Sequence, residues 1–137
     1  MNELKIPISA PEAKLWSVDD PNLYVCEVEL SEGKNWVDKD SRRFGFRWFE
    51  ASGIGEDAVF RLNGKRIMLR SAISWSFWPV NGIFPSEELA ERQIRIAKEL
   101  GLNMLNFHRF IGNTDVMNYA DELGLLYFEE PGGFRLD

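Results

Sequence analysis

The sequence predicts a chain of two parts: a β-rich first part and a second part in which strands alternate with helices. Residues 23–30 alternate apolar and polar side chains, as a half-buried antiparallel strand does. The pair Asn63-Gly64 separates two apolar runs, which predicts a tight hairpin. The phrase Glu-Leu-Gly-Leu occurs at residues 99–102 and again at 122–125, each time between a helical pattern and an apolar run. Such a repeat predicts helix-to-strand units of a parallel sheet.

Length and composition exclude several classes of protein. The 137 residues are 45% hydrophobic and 28% charged, which excludes disordered and collagen-like chains. A net charge of −6 argues against nucleic acid or an anionic membrane as a partner. No run approaches the ~20 apolar residues of a membrane span, and the first residues lack the apolar core of a signal peptide. The cellular compartment stays open.

Two strands joined by a polar loop are predicted in the first part. The apolar face of the first strand holds four side chains: Tyr24, Cys26, Val28 and Leu30. The second strand is expected over residues 42–49, with three aromatic side chains facing inward as in a β-sandwich: Phe44, Phe46 and Trp48.

Cys26 is the only cysteine, so it can form neither an internal disulfide nor a thiolate cluster and is expected to be a buried thiol. Two glycines and two acids in residues 52–57 predict a domain boundary near Gly53.

The second part is predicted to run hairpin, strand, helix, strand, helix, strand. Asn63-Gly64 suits a two-residue type I′ turn, and the first strand after the hairpin is expected to end near Ser71. Two further strands are expected over residues 102–107 and 125–130.

Both helices carry start and stop signals. Ser86 is expected to cap the first, which has an apolar face of six residues: Leu89, Ala90, Ile94, Ile96, Ala97 and Leu100. The second is predicted from Thr114 to Leu123 and ends at Gly124.

Several short motifs, in a fixed order, carry a resemblance to a known family. They include Leu15-Trp16, Asp-Pro-Asn-Leu-Tyr at 20–24, Phe-Gly-Phe-Arg at 44–47 and Leu-Asn-Gly-Lys at 62–65, and they continue at 101–103, 121–126 and 129–130. From residue 15 onward the chain resembles family 2 glycoside hydrolases, which hold β-galactosidases, β-mannosidases and β-glucuronidases. The resemblance implies that residues 1–52 are the last strands of an immunoglobulin-like β-sandwich. Residues 53–137 would then be the N-terminal hairpin, three strands and two helices of an incomplete parallel α/β barrel of the (β/α)8, or TIM, type.

The resemblance also implies a reaction. Family members hydrolyse O-glycosidic bonds by a retaining two-carboxylate mechanism, with the acid/base Glu after the fourth barrel strand and the nucleophile Glu near the seventh, so both are expected outside this chain. Glu129 and Glu130 cannot replace them, because neighbours on a strand point to opposite faces, whereas a retaining site needs two carboxyl groups ~5 Å apart around one bond. No catalytic residue is therefore expected here, and the chain alone should be inactive. A closed barrel takes ~200 residues or more, so the expected partners are a carbohydrate substrate and the remainder of a parent enzyme, or self-association through open sheet edges.

Candidate substrate-binding residues are placed by the rule that barrel function gathers at the carboxyl ends of strands. They are Trp75, Trp78, Asn106, His108, Arg109 and Glu130. The two tryptophans either stack on a sugar ring or pack the loop over the barrel rim. His108, the only histidine, either hydrogen-bonds a sugar hydroxyl or a later carboxylate, or is held by backbone partners. Family members often show Arg followed by His at this strand end, where this chain has Asn106 and Arg109, which argues against a galactosidase-type specificity.

Glu130 is expected to face the barrel lumen, because the family commonly has an acidic pair here with its second member near the sugar. The alternative is a salt bridge from Glu130 to Arg70 or Arg109. No metal or cofactor is expected, since Phe-Arg-Leu-Asp at 134–137 offers one carboxylate where some β-galactosidases place metal ligands.

Two other function classes compete with the enzyme. A non-catalytic carbohydrate-binding or interaction module would use the acidic surface and the loop tryptophans without chemistry. A nucleotide-binding βαβ protein is disfavoured because no glycine-rich phosphate loop joins a strand to a helix.

Overall fold

A computed structural model describes residues 4–130 of the chain. In chain order its elements are β1 (Tyr24–Glu32), β2 (Asn35–Phe44), β3 (Phe49–Ser52), a short 3-10 turn (Gly55–Asp57), β4 (Val59–Leu62), β5 (Lys65–Ile67), β6 (Ser71–Ser74), α1 (Glu87–Glu99), β7 (Met104–Phe107), α2 (Thr114–Leu123) and β8 (Leu126–Glu129). The strands form three sheets of orders β1-β2, β3-β4-β5 and β6-β7-β8. Neither α-helix among these elements has the length and hydrophobicity needed to cross a membrane.

β1 and β2 form a long antiparallel hairpin, in which Tyr24 pairs with Phe44 and Glu32 with Asn35. The predicted polar loop and the predicted strand over residues 42–49 are therefore wrong, because the polar residues belong to β2 and this strand ends at Phe44. Oppositely charged side chains on the two strands form an ion pair: the Lys39 Nζ atom lies 3.0 Å from a carboxylate oxygen of Glu27 on β1. The polar residues predicted to form a loop are therefore exposed residues on both faces of a strand.

The face of this hairpin that carries the apolar side chains of β1 is covered only at its base, and opposite Val28 and Leu30 it carries Asp40 and Asp38 of β2. At the base Tyr24, Phe44 and Phe46 pack together, with ring centroids 5.2 to 6.2 Å apart. Further out Val28 and Leu30 are exposed, and Cys26 is half-buried rather than buried as predicted. A two-stranded hairpin gains burial only from a second layer, and the described residues place none over its outer half.

The antiparallel sheet β3-β4-β5 confirms the predicted hairpin. Asn63 and Gly64 both have positive φ, 53° and 77°, as a type I′ turn requires. Gly53 lies between β3 and β4, which pair from Ser52–Val59 to Phe49–Leu62, so this sheet continues across the predicted domain boundary. The division into two domains stays a prediction.

The parallel sheet β6-β7-β8 confirms the two predicted helix-to-strand units. β6 begins rather than ends at Ser71 and runs to Ser74. The preceding residue, Arg70, is held by the Asn103 side chain, which accepts the Arg70 backbone N–H, and the Asn103 N–H donates to the Arg70 carbonyl. The parallel pairing therefore begins at Ser71, directly after Arg70. β6 ends at Ser74, beyond the predicted end near Ser71.

The repeated phrase marks two similar helix ends. Gly101 and Gly124 have φ of 77° and 79°, in the left-handed region. After each, a leucine N–H closes the turn: Leu102 donates to the Ala97 carbonyl and Leu125 to the Ala120 carbonyl. The helices begin as predicted too, since the Ser86 hydroxyl accepts the Leu89 N–H; the bounds of α2 agree with the prediction.

The core lies between these helices and one face of the parallel sheet. Its buried members are Ala90, Ile94, Ala97, Leu105, Phe107, Val116, Ala120 and Leu125. Ile96 and Leu100 were predicted on the packed face of α1 but are exposed. The packed face is thus narrower than the apolar stripe of the sequence.

Candidate functional site

The two faces of the parallel sheet have different roles. Register partners Ser74, Phe107 and Glu129 lie on the face that packs against the helices. Asn106 and Phe128 lie on the opposite face, and alternation continues that face to His108 and Glu130 just beyond the strand ends. This face is called the open face below. The carboxyl ends of all three strands therefore meet at one edge, as the sequence predicts.

At this edge Glu130 is bound by three groups from the end of β7. The Asn106 Nδ2 atom donates to Oε1 of Glu130 over 3.2 Å, and the Arg109 backbone N–H donates to Oε2 over 2.9 Å. The Nδ1 atom of His108 lies 3.3 Å from the same Oε2. The indole of Trp75 meets the His108 ring edge to face, with centroids 4.4 Å apart. Trp75, Asn106, His108, Arg109 and Glu130 are called the Glu130 cluster below.

The cluster favours the ionised form of Glu130. The Arg109 N–H lowers the pKa of this carboxyl from its usual value, and the Asn106 amide and His108 act in the same direction, against a smaller opposing effect of burial. A general acid needs a carboxyl with a raised pKa, which is the opposite shift. Glu130 is therefore suited to accept hydrogen bonds as a fixed anion, not to protonate a leaving group.

Acid is expected to weaken the fold through this carboxyl. Because the folded-state pKa lies below the usual 4.5, the ionised carboxylate stabilises the fold above about pH 4.5, and this contribution is lost as the pH falls through the folded-state value. Urea unfolding at about pH 6 and about pH 3.5 measures the loss. Glu130→Gln cannot ionise and should lose less stability over this interval than the wild type; an equal loss in both proteins would contradict the assignment.

An acceptor on the open face has no partner among the described residues. The Oδ1 atom of Asn106 is buried and receives no hydrogen bond, while its amide nitrogen is used by Glu130. Buried polar atoms are nearly always paired in folded proteins. Because this oxygen is closed off from solvent, it offers no acceptor to a ligand at the surface of the open face.

The two tryptophans differ in their surroundings. Trp75 is 66% exposed, whereas Trp78 is half-buried, packs against the core and exchanges two backbone hydrogen bonds with Gly82. Trp78 thus follows the packing alternative. The loop that carries Trp75 is fixed on the helix side, because the Ser74 hydroxyl accepts hydrogen bonds from the Ser76 N–H and from the Gln93 side chain of α1.

The predicted alternative of an ion pair from Glu130 to Arg70 or the Arg109 side chain is wrong. Arg70 precedes β6 and lies at the opposite end of the sheet, where its Nε donates to the Gly101 carbonyl. Arg109 binds Glu130 through its backbone. The carboxylate partner predicted as one option for His108 is confirmed.

Sequence reasoning missed one feature of this edge. Glu129 points to the helix side, and its Oε1 accepts the Gly112 N–H over 3.1 Å. The only sequence signal for this contact is the glycine itself, which lies so close to Phe107 that an added Cβ would be 2.7 Å from the ring. Among residues 4–130 no three His, Cys, Asp or Glu side chains form a group that could hold a metal ion. Residues 131–137, in which a single carboxylate and no metal site were predicted, lie outside the described part.

Comparisons with known proteins agree with this architecture. The family model for glycosyl hydrolases family 2 matches residues 1–47. A β-galactosidase from Thermoanaerobacterium thermosulfurigenes is 34% identical over 125 residues, which are 90% of this chain and 17% of that protein. The crystal structure of a β-glucuronidase from Parabacteroides merdae has a TM-score of 0.73 at 30% identity and covers 85% of this chain. A family 2 glycosyl hydrolase from Bacteroides cellulosilyticus has a TM-score of 0.78 at 27% identity over 90% of this chain. This chain spans 14% to 17% of the length of these relatives.

Proposed function

Because this chain belongs to glycosyl hydrolase family 2, we propose that it forms part of an enzyme that hydrolyses O-glycosidic bonds in carbohydrates, with β6, β7 and β8 as the first strands of its barrel. In this proposal residues before Gly53 belong to the neighbouring β-sandwich, and both catalytic carboxylates of the retaining mechanism lie outside this chain. The parallel order of β6, β7 and β8 and the shared edge of their carboxyl ends support the barrel.

The observation that carries the proposal is the binding of Glu130 by donors from the neighbouring strand end. A carboxylate fixed by Asn106 and the Arg109 N–H keeps its lone pairs aimed in set directions, as hydrogen bonding to a sugar hydroxyl requires. Beside it Trp75 offers an exposed ring surface, which suits the CH-rich face of a sugar. The cluster is thus proposed to form one wall of the sugar-binding site.

Kinetics of the parent enzyme with Glu130→Gln test this wall. The substitution keeps the size of the side chain and removes the anion. A hydrogen bond to a charged group contributes about 1.5–3 kcal/mol, so kcat/KM on an aryl β-glycoside should fall by about 10- to 100-fold. Glu56→Gln, in the exposed 3-10 turn and outside the Glu130 cluster, is the matched control and should leave kcat/KM unchanged. A kcat/KM within twofold of the wild type for Glu130→Gln would refute the assignment.

A binding module without chemistry is the second candidate, and the exposure of Trp75 is the observation that favours it. Titration of the 137-residue chain with oligosaccharides separates the two. Micromolar binding that Trp75→Ala abolishes would support the module. An enzyme segment that supplies one wall should bind these sugars far more weakly and should not hydrolyse aryl glycosides.

A further inference from the structure

The two neighbouring carboxylates at the end of β8 hold the same loop from opposite sides. We propose that Glu129 is a positioning residue, which fixes the loop between β7 and α2 so that the loop backbone presents its Arg109 N–H to Glu130. The importance of this arrangement for sugar binding rests on the function proposed above. The positioning itself is independent of it.

The geometry places one anchor on each face of the strand. Oε1 of Glu129 accepts the Gly112 N–H over 3.1 Å on the helix side. Oε2 of Glu130 accepts the Arg109 N–H over 2.9 Å on the open face. The two donors are three residues apart in one short loop. A shift at Gly112 therefore moves the N–H that binds Glu130.

The conformation of this loop requires such anchors. Arg109 has a φ of 53°, in the left-handed region, which is unfavourable for a residue with a side chain. Gly112 lies directly against the ring of the fully buried Phe107, where a Cβ would be 2.7 Å from the nearest ring atom. The loop thus follows a strained path close to the core, and strained paths persist only where the surrounding contacts hold them.

The ends of the loop are fixed by other groups. The His108 N–H donates to the Ser74 carbonyl at its beginning, and the Asn113 side chain caps α2 at its end by accepting the Asp115 N–H. These contacts leave the residues between His108 and Asn113 to be held from β8. This division of contacts assigns the middle of the loop to Glu129 and Glu130.

A comparison of Glu129→Ala with Glu129→Gln tests the proposal in the 137-residue chain. Both variants remove the negative charge, but glutamine retains an oxygen that can accept the Gly112 N–H. Carboxyl NMR titration follows Glu130, whose signal is identified by its absence in Glu130→Gln, and amide hydrogen exchange follows Gly112 and Arg109. In Glu129→Ala the pKa of Glu130 should rise towards its usual value, and both amides should exchange at least tenfold faster than in Glu129→Gln. Glu129→Gln should retain the lowered pKa of Glu130.

The groups that act on the pKa of Glu130 are the Arg109 N–H, the Asn106 amide and His108, whereas Glu129 binds the loop on the other face of the strand. Loss of the Glu129 charge alone would favour ionised Glu130, so a raised pKa in Glu129→Ala has the opposite sign from a simple charge effect. Identical titration and exchange in the alanine and glutamine variants would overturn the proposal. If Glu129→Ala does not fold, Glu129→Asp takes its place, because aspartate keeps the charge and shortens the reach by one methylene.

The two proposals fail separately. If Glu129→Ala shifts Glu130 as expected while Glu130→Gln leaves kcat/KM unchanged, the positioning role holds and the sugar-binding wall is refuted. If Glu130→Gln lowers kcat/KM while the two Glu129 variants titrate alike, the wall holds and the positioning role is refuted. In the parent enzyme a positioning role predicts that Glu129→Ala raises KM or lowers kcat and that Glu129→Gln restores most of the loss.

Discussion

Replacement of Gly124 by alanine is expected to destabilise the chain by about 3–5 kcal/mol, which is among the largest effects of a single methyl group. An added Cβ would lie 2.4 Å from the Val18 carbonyl oxygen and 3.0 Å from its carbon, so backbone would have to move. The Lys98 side chain occupies the same place: its Nζ donates to the carbonyls of Val18 and Gly124. The methyl group would therefore separate the N-terminal segment from the start of β8, in addition to the cost of a left-handed alanine.

Gly101→Ala is the matched control for this effect. Gly101 occupies the same position in the first copy of the repeated phrase. Its φ of 77° is close to the 79° of Gly124, but an added Cβ at Gly101 meets no atom within 4 Å. Its cost should be limited to the left-handed conformation, about 1–2 kcal/mol. Urea unfolding followed by far-UV circular dichroism compares the two variants. Equal losses would show that backbone conformation, not the contact with Val18, determines the cost.

The repeated units could be predicted because their signals are local. A glycine after an amphipathic stretch and an apolar run after the glycine specify the helix end and the next strand within about ten residues. The Asn63-Gly64 turn is local in the same way. The polar residues of β2 were wrongly predicted as a loop, since whether Lys39 lies in a loop or opposite Glu29 depends on a pairing that the chain forms across its Gly33 turn. A run of polar residues alone does not distinguish a loop from an exposed strand.

In the candidate site, too, local sequence signals predicted some features, while others depend on contacts between distant parts of the chain. The strand-end rule brought Asn106, His108 and Glu130 to one edge, and the structure places their side chains within hydrogen-bonding distance. The rule could not tell that Arg109 would contribute its backbone, because a left-handed φ at this residue follows from the packing of the whole loop. Which tryptophan stays exposed could not be predicted for a similar reason. It depends on how residues 75–82 fold back on the core.

Trp16 shows how a residue far from the site determines the fold around it. Its ring is completely buried; its Nε1 atom donates to the Asp121 carbonyl over 2.7 Å. The guanidinium of Arg47 lies 4.3 Å from the ring and also forms an ion pair with the Asp121 carboxylate at 2.7 Å. The segment before β1, the linker before β3 and the end of α2 therefore meet at one indole. Since α2 leads directly into β8, this junction also supports the strand that carries Glu129 and Glu130.

Trp16→Ala is accordingly expected to cost about 3–5 kcal/mol, the range for a large aromatic side chain removed from a core. Trp36→Ala is the control of equal size: Trp36 is 65% exposed on β2, so its removal should change the free energy of unfolding by about 0.5 kcal/mol or less. Trp16→Phe should lie between them, because phenylalanine fills most of the space but leaves the Asp121 carbonyl without its donor. Urea unfolding followed by circular dichroism orders the three variants. Equal losses of stability in Trp16→Ala and Trp36→Ala would show that the buried indole does not hold the N-terminal segment against α2. The inference that this junction supports β8 would then be wrong.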